Sequence, residues 1–399
     1  MSRPAPSRPL RPQRPATLVG DLRGALRLSV EGVHGVTRIA EGLHGNILRL
    51  APPLGQVRER PTRGITGLVY RAVRGGASLV GGSVEAVLAG LQPLLGPAAP
   101  PADEATRGPA WQAIVSALNG VMGDHLARTG NPLAIPMALS VRGPATPRVL
   151  LLVHGLCMSD GQWLRDGHDH GLALAAELGC TPVYVRYNSG LHVSDNGAEL
   201  AAQLEDLLAH WPVAVESLAI VGHSMGGLVA RSALQQARAS GLAWPGRLRR
   251  MVFLGTPHHG AALERGGNWL HAVLGSSPYL APFARLGALR SAGITDLRHG
   301  NVLASDWERG RYHHHDTRTV VPLPARVRCY AIAGALRTGP AGSALGDGLV
   351  AVDSALGRHA RPTRDLRLPV ARTWVATGVS HLGLLGDRGV YAKLRDWLR

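Results

Sequence analysis

From about residue 148 onward, short apolar runs alternate with helix-like runs, and this alternation constrains the fold more than any other feature of the chain. The runs are Val149–Val153, Val183–Tyr187, Leu218–Val221, Met251–Leu254, Val327–Ala333 and Thr373–Ala376. Each is apolar along nearly its whole length rather than at every second residue. Strands of that kind are covered on both faces, as in parallel sheets whose crossover helices lie above and below. Helical spacing falls between them at Asn196–His210, Met225–Ala239 and Gly389–Leu398. The expectation is an α/β chain with a mostly parallel central sheet flanked by helices. The stretch 258–324 breaks the rhythm and is expected to be an inserted cap or lid.

The chain ahead of this region reads differently. Residues 1–16 are rich in Arg and Pro, lack the apolar core of a secretory signal and are read as a disordered tail. Between 17 and 98, Leu26, Val30, Val33, Val36, Ala40, Leu43, Ile47 and Leu50 recur at three- and four-residue steps, giving one apolar stripe. A second stripe starts near Ile65, and Pro52-Pro53 separates the two, so a helical hairpin is expected. Residues 99–110, which the PAAPPA run of 97–102 leads into, are read as a linker, leaving 111–399 as the main domain. No uncharged apolar stretch of about 18 residues occurs, so no transmembrane helix is predicted.

The net charge of +16 invites a nucleic-acid reading. Against it, Lys393 is the single lysine among 43 basic residues, the arginines are scattered, and no nucleic-acid motif is present. With 51 glycines and 28 prolines, the Arg excess reads as compositional bias rather than a binding face. Nucleic acid is therefore not an expected partner. Peripheral contact with an anionic membrane through the 17–98 helices is the companion expectation to a cytoplasmic location. Cys157, Cys180 and Cys329 are odd in number and widely spaced, which fits neither a disulfide framework nor a zinc knuckle.

Gly222-His223-Ser224-Met225-Gly226 matches G-x-S-x-G. The motif alone is weak in so glycine-rich a chain; its context is informative. It follows the strand-like Leu218–Val221 and opens the helix-like run from Met225, a strand–turn–helix setting that lifts a serine oxygen above a sheet. Ser224 is thus the candidate nucleophile. His154-Gly155-Leu156 follows the run Val149–Val153, and the loop at that place supplies one oxyanion donor while the residue after the serine supplies another. The candidate oxyanion hole is the backbone N–H groups of Leu156 and Met225, with the His154 side chain shaping the loop. A base and its orienting acid should follow in the order Ser, Asp or Glu, His. His381, just past Thr373–Ala376, is preferred as base over His359. Asp347, in Gly346-Asp347-Gly348-Leu349-Val350, is preferred as acid, with Asp353 and Asp365 as rivals.

Together Val153-His154-Gly155, Gly222–Gly227, Gly255-Thr256-Pro257-His258, Asp347-Gly348-Leu349-Val350 and His381 resemble the bacterial lipase and esterase branch of the α/β-hydrolase superfamily, whose triacylglycerol lipases carry such motifs. The resemblance spans roughly residues 148–399. It implies an α/β-hydrolase fold with Asp347 as triad acid, and a serine hydrolase that cleaves carboxylic esters through an acyl-enzyme. A lipid acyltransferase using the same triad, and a lipid- or granule-surface protein with secondary hydrolase activity, are the alternatives. Neither cofactor nor metal is expected, so His313-His314-His315-Asp316 and His168-Asp169-His170 are read as polar loops. Trp269, Leu270, Val273 and Leu274 either face an acyl chain from the cap or pack the cap onto the core. Cys157 is read as a small packed residue rather than a second nucleophile.

Overall fold

The structure is a computed structural model that describes residues 23–31, 71, 75, 78–79, 109–261, 291–307, 316, 318–337 and 346–399. The chain divides into two units, residues 1–107 with 130–133, and residues 108–129 with 134–399. In the first unit residues 23–31 are helical. The 1–16 tail, most of the expected hairpin and the linker up to residue 108 lie outside the described residues. No helix among the described residues is long and apolar enough to cross a membrane.

The second unit opens with helix α1 (Pro109–Arg128), which begins inside the expected linker and is kinked at Met122. Pro109 suits the first helical position, where its missing N–H would have had no partner. Then come β1 (Ala138–Val141), β2 (Arg148–Val153), a small ribbon β3 (Leu164–Arg165) and β4 (His168–Asp169), and α2 (His170–Leu178). They are followed by β5 (Thr181–Arg186), α3 (Val193–Ala209), β6 (Ser217–His223), α4 (Met225–Ala239) and β7 (Leu248–Leu254). The unit ends with α5 (Ala292–Asp296), β8 (Arg328–Ala335), α6 (Val352–Ala355), β9 (Thr373–Thr377) and α7 (Arg388–Leu398).

The main sheet has the order β1-β5-β2-β6-β7-β8-β9. All its pairings are parallel except β1 against β5. The six apolar runs in the sequence are the six parallel strands. The antiparallel edge strand β1 has no such run, because its residues are half-buried or exposed.

Alternation along β2 splits the core in two. Val149, Leu151 and Val153 pack with residues of α1, α3 and α4, such as Val121, Leu200 and Leu228. Leu150 and Leu152 face Leu174 of α2 and Val390 and Leu394 of α7. Each fully buried Leu or Val contributes about 1.5–3 kcal/mol, so a one-residue slip of β2 would exchange the two sets but bury both. That tolerance is why register here is fixed by the neighbouring strands and loops rather than by polarity.

From β2 the chain crosses to β5 on one side and then to β6 on the other. The connections therefore diverge at the carboxyl ends of β2 and β6, the place where sheets of this kind form a crevice. The loops that carry His154 and Ser224 leave the sheet at this point.

Candidate active site

The turn between β6 and α4 is built from close approaches. Ser224 has φ 53° and ψ −125°, a backbone state that side chains rarely adopt. A Cβ on Gly226 would lie 2.2 Å from the carbonyl oxygen of Val153, and one on Gly222 would lie 2.6 Å from Gly227 Cα. The strained turn is held by the Ser224 N–H, which donates to the Leu254 carbonyl at 2.8 Å. Ser224 is largely buried, and its hydroxyl has no hydrogen-bond partner among the described residues.

Asp347 follows β8 and His381 follows β9, and the structure brings the two together. His381 Nδ1 lies 2.7 Å from Asp347 Oδ2, and the His381 N–H donates to the Asp347 carbonyl at 3.0 Å. The other carboxylate oxygen accepts from the N–H groups of Leu349 and Val350, at 3.0 and 2.8 Å. This accounts for the tight Asp-Gly-Leu-Val loop: its own backbone fixes the carboxylate so that one oxygen is left for the imidazole. Both side chains are buried. The rival acids lie elsewhere. Asp353 is exposed and 3.7 Å from Arg358, while Asp365 accepts from the N–H groups of His359 and Arg367. His359, the rival base, stacks edge-on against His259.

His223 joins the serine turn to His381. Its Nε2 is 3.0 Å from the His381 carbonyl, an acceptor, so the proton sits on Nε2. Burial, and next the neighbouring His381, drive its pKa well below the ordinary histidine range. Gly255, at φ 57°, closes the other side; a Cβ there would stand 3.1 Å from both Asp347 Oδ2 and His381 Cε1. Neither residue was singled out by spacing, although both lie inside motifs that the sequence displays.

The loop after β2 rests on the serine turn, since a Cβ on Gly155 would lie 3.0 Å from Ser224 Cβ. His154 shapes this loop. Its ring stacks on Tyr187 at 4.3 Å, its Nδ1 donates to the Gly155 carbonyl, and the Tyr187 hydroxyl donates to its carbonyl at 2.7 Å. Burial lowers the His154 pKa to about 4. Leu156 follows, and then Cys157, at φ 60°, whose N–H donates to Ser189 Oγ at 3.0 Å. Burial pushes the Cys157 thiol up to about 12, which disfavours its thiolate near neutrality. Met225 opens α4, where a first-turn N–H has no partner within the helix.

Helix α1 supports three of the surrounding loops. The Cys157 thiol faces the Ala117 carbonyl, the Ser291 hydroxyl donates to the Gly120 carbonyl at 2.6 Å, and the Asn188 amide donates to the Gly123 carbonyl at 2.9 Å. Sequence reasoning missed this role. The available signal was Gly120 and Gly123, two glycines inside a helix, each costing about 1 kcal/mol relative to Ala unless close packing requires it.

A mostly parallel sheet with a nucleophile-type turn at its switch point, an acid after β8 and a histidine after β9 decides the architecture. The fold is that of the α/β hydrolases. A family model described as a domain of unknown function (DUF7379) matches residues 127–280. No curated protein matches the chain. Among solved structures, a lipase of Bacillus licheniformis in its mature form is 22% identical, with 65% of this chain and 98% of that one covered and a TM-score of 0.41. An esterase of Pyrococcus furiosus is 15% identical, with 63% and 81% covered and a TM-score of 0.38. An esterase of Pyrobaculum calidifontis is 17% identical, with 65% and 80% covered and a TM-score of 0.39.

Among the described residues no group of three His, Cys, Asp or Glu side chains is placed to hold a metal ion. His168 and His170 bond each other at 2.9 Å, and His170 donates to the Leu384 carbonyl, so the pair ties α2 to the loop beyond His381. His313, His314 and His315 lie outside the described residues, as do Trp269, Leu270, Val273 and Leu274. Of the expected cap only 258–261, 291–307, 316 and 318–324 are described.

Proposed function

We propose that the protein is a serine hydrolase that cleaves carboxylic esters, with Ser224 as nucleophile, His381 as base and Asp347 as the acid that orients it. The reading is carried by the buried 2.7 Å pairing of His381 Nδ1 with a carboxylate whose other oxygen is fixed by two backbone N–H groups. A carboxylate held in that way sets the imidazole tautomer with its proton on Nδ1, leaving Nε2 free to accept a proton. The tie between His223, the residue before Ser224, and the His381 carbonyl supports setting the serine against this pair.

In the reaction, Ser224 Oγ attacks the ester carbonyl as its proton passes to His381 Nε2. The oxyanion is held by the N–H groups of Leu156 and Met225. The protonated imidazole then gives its proton to the departing alcohol oxygen, leaving an acyl-enzyme. Water, deprotonated by the same nitrogen, attacks the acyl carbonyl, and collapse returns the proton to Ser224 Oγ and releases the acid. Asp347 stays ionised throughout and stabilises the imidazolium. The hydroxyl, unbonded in the resting state, closes on the imidazole when substrate fills the crevice, as is common where catalytic hydrogen bonds tighten only in the complex.

The test is active-site labelling with a fluorophosphonate probe, comparing the native chain with Ser224→Ala, followed by hydrolysis of p-nitrophenyl esters of increasing chain length. Labelling lost in the variant supports the reading. Equal labelling of both proteins, or ester turnover undiminished in Ser224→Ala, refutes it.

A further inference from the structure

Past Gly255 the chain runs through Thr256 and Pro257 to His258, which turns inward to meet Arg231 of α4. Arg231 Nη1 lies 3.2 Å from His258 Nδ1, and Nη2 donates to the Val321 carbonyl at 2.5 Å. The Arg231 side chain is 94% buried within its residue surface, at 6% exposure, yet no carboxylate is bonded to it. Asp316 is engaged by Arg318 and Arg364. Asp306 accepts from the N–H groups of Val302, Leu303 and Thr319. Removing a guanidinium from water with no bonded counter-charge is costly, Asp306 acting on it only through space, and the group cannot shed its charge to avoid it. Burial, and next Arg318, lower the Arg231 pKa only to about 10, so it stays charged at neutrality.

The hydrogen-bond logic defines what is missing. A guanidinium only donates, so His258 Nδ1 must accept, and the histidine carries its proton on Nε2. That Nε2–H is buried without an acceptor, and so is Arg231 Nε–H. Each unsatisfied buried donor is a cost that folded proteins rarely leave standing. Arg231 and His258 line one small cavity together with His259, Arg318 and Arg364, and among the described residues no carboxylate side chain lines it. Its volume is about 20 Å³, enough for a small guest such as a water or a single ion. The site calls for a small guest that accepts from several N–H donors and carries negative charge.

We infer that this cavity is a binding site for a monatomic anion, chloride in ordinary solution, which serves as the counter-ion of Arg231. The bound ion ties α4, the helix that follows Ser224, to the loop that presents Gly255 to Asp347 and His381. It is therefore a structural site adjoining the crevice, and it stands whether or not the ester-hydrolase reading holds.

The experiment uses the full chain, exchanged into sodium gluconate and titrated with sodium chloride or sodium bromide at constant ionic strength, with the thermal midpoint as readout. A saturable rise with either halide is expected, reaching roughly 5 °C at a hundredfold excess over the dissociation constant. Arg231→Gln should abolish the halide-dependent part of the shift. Because that variant could lose its fold, bromide-soaked crystals of the native chain provide a second reading, with an anomalous peak expected between Arg231 and His258. Midpoints that are equal in halide and gluconate, or a cavity that holds only water in the soaked crystals, would overturn the inference.

Discussion

Gly120 in the middle of α1 faces Cys157 so closely that a Cβ on the glycine would lie 2.2 Å from the cysteine sulfur, 2.8 Å from its Cα and 2.9 Å from its N. Two of those three atoms are backbone, and they belong to the residue after Leu156. Gly120→Ala must therefore displace the loop that offers the Leu156 N–H. Overpacking of this kind costs about 1–3 kcal/mol. We expect Gly120→Ala to lower kcat for ester hydrolysis by at least roughly tenfold, since removing an oxyanion donor costs on the order of 10²–10³, with a smaller effect on KM. Truncating the thiol should not restore activity, because the backbone contacts persist. Full rescue by adding Cys157→Ala would show that the contact is only with the side chain.

Ser224 sits at φ 53° and ψ −125°, a state that costs a residue with a side chain about 1–3 kcal/mol. Glycine reaches that state without the Cβ penalty, at an entropic cost of about 0.5–1 kcal/mol. Ser224→Gly should thus be inactive but more stable than the native chain by about 1 kcal/mol, whereas Ser224→Ala should be inactive with no such gain. Urea unfolding of the three proteins measures this directly. Equal stability of the Gly and Ala variants would mean that the turn is not strained.

The sheet was legible because strands buried on both faces must be apolar throughout, so β2, β5, β6, β7, β8 and β9 stand out, and Gly222 and Gly226 are demanded by backbone geometry at fixed offsets. Asp347 and His381, which the structure pairs, were marked by their places after strands and by the resemblance of the Asp-Gly-Leu-Val loop. What escaped was whatever depends on pairing across long separations. Strand β1 is short and half-exposed, so no apolar run marks it. The supporting role of α1 rests on contacts of Gly120 and Gly123 with residues 37 and 65 positions away, and only the oddity of two glycines in a helix hinted at it. His223 was visible as the variable residue of a motif, but its bond to the His381 carbonyl is a consequence of folding that no local pattern encodes.

Asp347 accepts two backbone N–H bonds on Oδ1 and faces His381 Nδ1 with Oδ2. In Asp347→Asn the Oδ1 bonds would hold the amide so that its NH₂ points at the imidazole. The imidazole would then have to accept on Nδ1, moving its proton to Nε2, the nitrogen that must take the serine proton. The expected result is a fall in kcat on the order of 10³–10⁴, with thermal stability changed little because the loop bonds survive. Steady-state kinetics beside a melting curve separates this from a folding defect. An Asn variant with kcat within tenfold of native would remove Asp347 from the proposed triad.

Acid stability should be governed by buried neutral histidines. His154 and His170 are each held at about 4, chiefly by burial, against about 6.5 in an unfolded chain. His259 is likewise lowered to about 4, and His223 and His258 lie well below the ordinary value. Between pH 6.5 and 4 the unfolded chain therefore binds protons that the folded one refuses. Stability accordingly rises with pH across that window and falls as acid is added. A shift of that size for one fully buried histidine such as His154 corresponds to roughly 3 kcal/mol by pH 4. Burial raises the pKa of Asp160 and of Asp195, which acts in the opposite sense but through fewer groups. We expect the urea midpoint to decline steeply from pH 6.5 to 4. The decline should be shallower in His170→Gln, whose amide can still donate to the Leu384 carbonyl without titrating. Equal pH slopes for native and variant would show that this histidine is not among the groups that oppose acid.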